Sequence, residues 1–76
     1  MEQIKQLQEP PFQIGERVEL VSNSYEDGGH FSGDTGVVLG IKSTEQPDGI
    51  MEHEILIVWD NGLNDSWIDA NDFVQA

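Results

Sequence analysis

The 76-residue chain sets fifteen acidic side chains against three basic ones, for a formal net charge of −12, and contains no cysteine. This length supports one small domain, and the absence of cysteine excludes disulfides and thiolate metal sites. Three cations are too few for direct nucleic-acid binding, which needs several Lys or Arg contacts to phosphate.

Residues 1–13 read as an N-terminal arm, flexible or docked, ahead of a domain over 14–76. Ile4 and Leu7 stand at i, i+3 and suit a short helix over residues 1–9, too short to be stable alone. Pro10-Pro11 ends it, because proline disfavours α geometry in the residue before it. The arm has no signal-peptide core, and no apolar run approaches the ~20 residues that span a bilayer. A cytoplasmic protein without membrane contact is expected. Phe12 and Ile14 alternate around Gln13 as an extended lead-in.

Gly15 marks a turn, and Arg17–Val21 reads as the first strand, with Val18 and Leu20 on one face. A polar loop follows from Ser22 to Asp34, carrying Tyr25 and Phe31. Its length makes it a place to look for function. Thr35–Ile41 is the second strand, where Gly36 and Gly40 suggest bends or bulges. Residues 43–53 read as a second, acidic loop with Pro47-Asp48-Gly49 as its turn.

Glu54–Ile68 reads as a β-hairpin. Asn61-Gly62 is the pair that suits a two-residue type I′ turn. Counting back from it places Ile57 opposite Ser66, Leu56 opposite Trp67 and Ile55 opposite Ile68. One face then carries Ile55, Ile57, Trp59 and Ile68, the better core. The other carries Leu56, Val58, Leu63 and Trp67, with Asp60 and Asp65 beside them. Asp69–Asp72 suits a single 3₁₀-like turn, and Phe73-Val74 a last short strand. The expected fold is all-β, a small five-stranded SH3-like barrel. Since a barrel has one interior, the outer stripe needs a cover: the arm (Ile4, Leu7, Phe12), a second copy, or a partner.

Gly15-Glu16-Arg17-Val18, Gly33-Asp34-Thr35-Gly36-Val37-Val38 and Ile57-Val58-Trp59-Asp60-Asn61-Gly62 together resemble the SH3-like barrels of the KOW kind. Glu26-Asp27-Gly28-Gly29 with Trp59-Asp60-Asn61-Gly62 is similar to the repeats of Mind-bomb-type ubiquitin ligases. The strand order and the ending Asn71-Asp72-Phe73-Val74 are similar to one of the small barrel proteins of photosystem I. The resemblance covers residues 14–75 and implies a barrel. The basic docking surfaces of these groups have no counterpart here, so their partners do not carry over.

No constellation points to catalysis or a cofactor. Asp34-Thr35-Gly36 spells the aspartic-protease triplet without the apolar strand that should precede it, and reads as a turn. Asp60, Asn61, Asn64, Asp65, Asp69 and Asp72 lack the EF-hand pattern of a calcium loop. His30 and His53, placed in different loops, lack zinc spacing. The glycines from Gly28 to Gly33 have no lysine and open no helix, so they make no phosphate cradle. The expected function is a non-enzymatic protein-interaction module or a small accessory or regulatory subunit, with no cofactor and no metal. Its site is Tyr25 and Phe31 of the long loop with Leu56, Val58, Leu63 and Trp67 of the outer hairpin face. A protein partner with a basic surface suits the charge, and weak self-association is a further expectation. The alternative is an acidic mimic of nucleic acid, of the phage-inhibitor type, that occupies another protein's DNA or RNA site.

Overall fold

The computed structural model describes residues 10–76. The predicted helix over 1–9, with Ile4 and Leu7, lies outside them. Five strands form one antiparallel sheet: β1 (Arg17–Leu20), β2 (Thr35–Glu45), β3 (Met51–Trp59), β4 (Ser66–Asp69) and β5 (Phe73–Gln75). Their order across the sheet is β4-β3-β2-β1-β5, so β4 and β5 are its hydrogen-bonded edges. Among the described residues, no helix is long and apolar enough to cross a membrane.

Alternation builds the core. Val18, Leu20, Val38, Ile55 and Ile57 are fully buried on one face, joined by Trp59, Ile68, Ala70, Phe73 and Phe12. Each large aliphatic side chain buried in this way contributes roughly 1.5–3 kcal/mol. The β3–β4 register is the expected one, with Ile55 opposite Ile68, Leu56 opposite Trp67 and Ile57 opposite Ser66. It sends Trp59 inward at 3% exposure and Trp67 outward at 45%.

The connection between those strands is not the expected two-residue turn. A type I′ turn needs positive φ at both central residues, and among the described residues only glycines have positive φ. The tight turn instead spans Trp59–Gly62, closed by Gly62 N–H donating to Trp59 O. Gly62, its last residue, takes φ 82°. The Asn61 side chain then accepts from Leu63 N–H, and pairing resumes at Ser66. The six residues between Trp59 and Ser66 are thus a loop rather than a tight hairpin end.

The expected loop over 43–53 is mostly strand. Ser43 pairs with His53, Thr44 with Glu52 and Glu45 with Met51, so β2 and β3 form one long hairpin. Its end is tight, with Gly49 N–H donating to Gln46 O and Gln46 N–H to Ile50 O. His53 therefore sits on β3 rather than in a loop. The register of β2 on β3 shifts between Val38 and Gly40, at one of the anticipated bends.

The lead-in also differs from its expectation. Gln13–Glu16 is a turn, not an extended piece, closed by Glu16 N–H to Gln13 O. It drops Phe12 into the core, at 7% exposure, instead of laying it over the outer stripe, while Ile14 points to solvent. Before β5, the Asp69 carboxylate accepts from Asn71 N–H and caps the 3₁₀ turn Ala70–Asp72. Val21 N–H donates to Asp72 O and Ala76 N–H to Arg17 O, which holds β5 against β1.

Candidate functional site

The long β1–β2 loop folds back across the end of the hairpin. Leu20 N–H donates to Asp34 O and Gly33 N–H to Leu20 O, which brings the two loop ends together. The Asp34 carboxylate accepts from Phe31 N–H, and Thr35 donates its hydroxyl to Asp60. Asp34-Thr35-Gly36 is thus turn and strand-entry chemistry.

Inside the loop, the 3₁₀ turn Glu26–Gly28 delivers His30 to the core. His30 is 8% exposed and stacks on Trp59, ring centroids 4.3 Å apart and planes 19° from parallel. Its Nε2 lies 3.2 Å from Ser66 Oγ, and the same hydroxyl lies 3.2 Å from Asn64 O. Ser66 has one proton to give. Given to the Asn64 carbonyl, it leaves Oγ as an acceptor and assigns the Nε2–H form to His30. His30 Nδ1 and Trp59 Nε1 are buried without a partner, so burial and stacking hold this corner.

Tyr25 precedes that 3₁₀ turn and donates its hydroxyl to the Asp72 carboxylate, tying the loop to the β4–β5 connection. Burial, that hydrogen bond, and the charges of Asp72 and Asp69 push the Tyr25 phenol up to about 12. The hydroxyl stays protonated through the neutral range.

Between the loop and the hairpin end lies a cleft of about 470 Å³. Tyr25, Leu63, Trp67 and Ile68 supply apolar wall, and Ser24, Asp27, Asn64 and Ser66 supply polar groups. Of the six residues named from sequence, Tyr25, Leu63 and Trp67 meet here. Leu56 lies beside Trp67 on the outer face of the sheet, and Val58 continues that face at 39% exposure, across from Val37. Phe31 projects to solvent at 51% exposure and is not part of the cleft wall. Sequence reasoning missed Asp27, His30, Asn64 and Ser66 as wall residues. The length of the polar loop hinted at Asp27 and His30, and nothing in the sequence marked Asn64 and Ser66.

Trp67 packs closely against Gly40, where an added Cβ would stand 3.3 Å from its Cη2. Lys42 Nζ sits 5.0 Å from the Trp67 ring centroid and 3.4 Å from Glu54 Oε1. In the turn just past β3, the Asp60 carboxylate receives the Thr35 hydroxyl and the Arg17 guanidinium, which hold it below the usual carboxylate range. At the far end of the long hairpin, Ser43 Oγ and His53 Nδ1 are 2.7 Å apart. His53 Nε2 is buried and unpartnered, so among the described residues no carboxylate orients the ring as a nucleophile–base pair would need. Among the described residues, no three His, Asp or Glu side chains converge as a metal site would require.

No family model, no curated protein and no solved structure matches the chain.

Proposed function

We propose that this protein is a cytoplasmic, non-enzymatic interaction module, built as a small SH3-like barrel, that binds a protein partner through the cleft and the adjoining outer face. The strand order, the shift in β2 and the 3₁₀ turn between β4 and β5 support the barrel. A single observation carries the function: Trp67 is 45% exposed while lining a cleft walled by Tyr25 and Leu63. Trp and Tyr are the residues on which binding energy concentrates, and exposed apolar patches of this kind mark interaction surfaces. Val58 and Leu39 extend the apolar area over the sheet.

Affinity capture from the native host with two baits, wild type and Asn64→Arg, tests this reading. Asn64 is exposed and in the cleft wall, so a bulky cation there blocks the site without disturbing the core. A protein retained by the wild type and lost from the variant supports the module. Release of that protein by duplex DNA marks it as a nucleic-acid-binding protein, as expected of an acidic mimic. Equal retention by both baits removes the cleft from the function.

A further inference from the structure

The cleft has a sign as well as a shape. Among the described residues, Asp27 is the only carboxylate in its wall, and no Lys or Arg stands there. The next residues in the chain, Glu26 and Asp65, are exposed and acidic. Asp69 and Asp72 act on Tyr25 with the same sign. Among the described residues the cations are Arg17 and Lys42, held by Asp60 and Glu54 respectively. Within that set, the one cation near the cleft is Lys42 at the Trp67 ring, and Glu54 offsets it, so the acidic groups set the sign of the field.

The tryptophan of the wall already has a cation of its own chain beside it. The chain's own Lys42 ammonium rests 5.0 Å from the Trp67 ring centroid, within the distance for cation–π attraction. A volume near 470 Å³ lies in the range of small binding pockets and suits one or two side chains.

We propose that the cleft receives a cationic peptide segment of the partner, placing a Lys or Arg beside Asp27 and an adjacent apolar side chain between Trp67 and Tyr25. This rests on the interaction reading above and adds the chemistry of the partner. Charge decides between occupants. A second copy of a chain with net charge −12 is repelled, and so is a nucleic acid. A basic segment is drawn in, its encounter rate falling as salt rises.

Selection of a displayed library of random twelve-residue peptides against the immobilised full chain tests the proposal. Enriched peptides are then synthesised, each with a version in which Gln replaces every Lys and Arg. The expected peptides are cationic with an apolar neighbour. Binding falls about 30-fold or more in Trp67→Ala, as for a central tryptophan, and about threefold in Asp27→Asn at low salt. The Gln versions lose binding, and Asn64→Arg abolishes it, a variant that remains informative should Trp67→Ala perturb the fold. Neutral or acidic peptides that still lose binding in Asn64→Arg overturn the cationic partner and leave the interaction site standing. An empty selection, or peptides indifferent to all three variants, overturns both.

Discussion

His30 lies on Trp59 with their ring centroids 4.3 Å apart, and through this contact a polar surface loop becomes part of the core. Trp59 also meets Phe73 at 6.0 Å, so loop, hairpin and last strand converge on one indole. Truncating Trp59 removes the hub and leaves a large cavity. Trp59→Ala is expected to cost about 3–5 kcal/mol, enough to unfold a small domain. His30→Ala is expected to cost about 2 kcal/mol, from the lost stack and the smaller cavity. Denaturant melts of both variants check the order. A His30→Ala protein as stable as wild type would mean the loop is not tied to the core through this ring.

The two glycines of β2 separate a close approach from an adjustable one. A Cβ on Gly36 would stand 2.6 Å from Ile57 Cγ2 and 2.6 Å from Val58 O, a buried side chain and a backbone atom. Neither can yield without moving β3. Gly36→Ala is expected to cost about 3 kcal/mol, the upper part of the usual overpacking range. At Gly40 the nearest obstacle is the tip of the exposed Trp67 at 3.3 Å. Gly40→Ala is expected to cost under about 1 kcal/mol and to change Trp67 emission, because the indole tilts away. Melting curves and fluorescence spectra of the two variants read the contrast directly.

Asp60 links acid stability to the outer face. Its carboxylate is held below its ordinary value by the Thr35 hydroxyl first and the Arg17 guanidinium second. A group depressed in the folded state contributes stability above its unfolded value near 3.8, which is lost as pH falls through the lower folded value. Asp60→Asn removes that dependence. The gap between wild-type and variant melting temperatures is expected to be constant above about pH 5 and to close below the unfolded value. Because the site is exposed, the gap at neutral pH is expected to be small. A gap that widens on acidification would contradict the assignment.

Tyr25 gives the alkaline counterpart, and it is the only tyrosine in the chain. Its phenol is raised from 10.0 to about 12. A raised group contributes stability that is intact below the unfolded value and is lost as pH climbs towards the folded one. Stability is therefore expected to fall between pH 10.0 and about 12, and ultraviolet absorbance of the phenolate to show a midpoint well above 10.0. Tyr25→Phe lacks the ionisation and is expected to melt with less dependence on pH over that interval. Asp72→Asn removes the hydrogen bond to a charged acceptor and is expected to bring the phenol midpoint down.

Legibility follows alternation. Ile55, Ile57 and Trp59 stand two apart, and the register that sets Ile68 against Ile55 keeps every large β-branched aliphatic of the hairpin except Val58 inside. The turn chemistry is ambiguous, because Asn-Gly serves a two-residue loop and equally the end of a turn begun one residue earlier. The register does not depend on that choice, since the same number of residues separates Ile57 from Ser66 either way. Ser43, Thr44, Glu52 and His53 look like loop in the sequence because a polar extension of a hairpin carries no apolar signal. Their pairing follows from the four-residue turn at Gln46–Gly49. The cleft is half legible. Trp67 faces outward by count, but nothing periodic in residues 22–34 indicates that Tyr25 reaches Asp72 or that His30 lies on Trp59.

The two tryptophans report the sign of the field at the cleft. Trp59, at 3% exposure, is beyond the reach of a dissolved quencher, so collisional quenching of the folded protein reads Trp67 at 45%. Two charges compete there. Lys42 sits over the ring and would attract an anion, but Glu54 lies 3.4 Å from its ammonium and offsets it at a distance. The charged side chain of the cleft wall itself is Asp27, on a chain of net charge −12. The acidic surroundings win, and caesium is expected to quench more strongly than iodide at low ionic strength, with neutral acrylamide as the reference. The difference should shrink as salt shortens the Debye length to about 8 Å at 0.15 M and further above it. Lys42→Met removes the cation at the ring and is expected to weaken iodide quenching further while leaving acrylamide quenching unchanged or raised. Trp67→Phe is expected to leave a blue-shifted emission that neither ion touches. Iodide quenching the wild type more strongly than caesium would show that Lys42 dominates the ring, and a cationic segment would then have no electrostatic reason to enter the cleft.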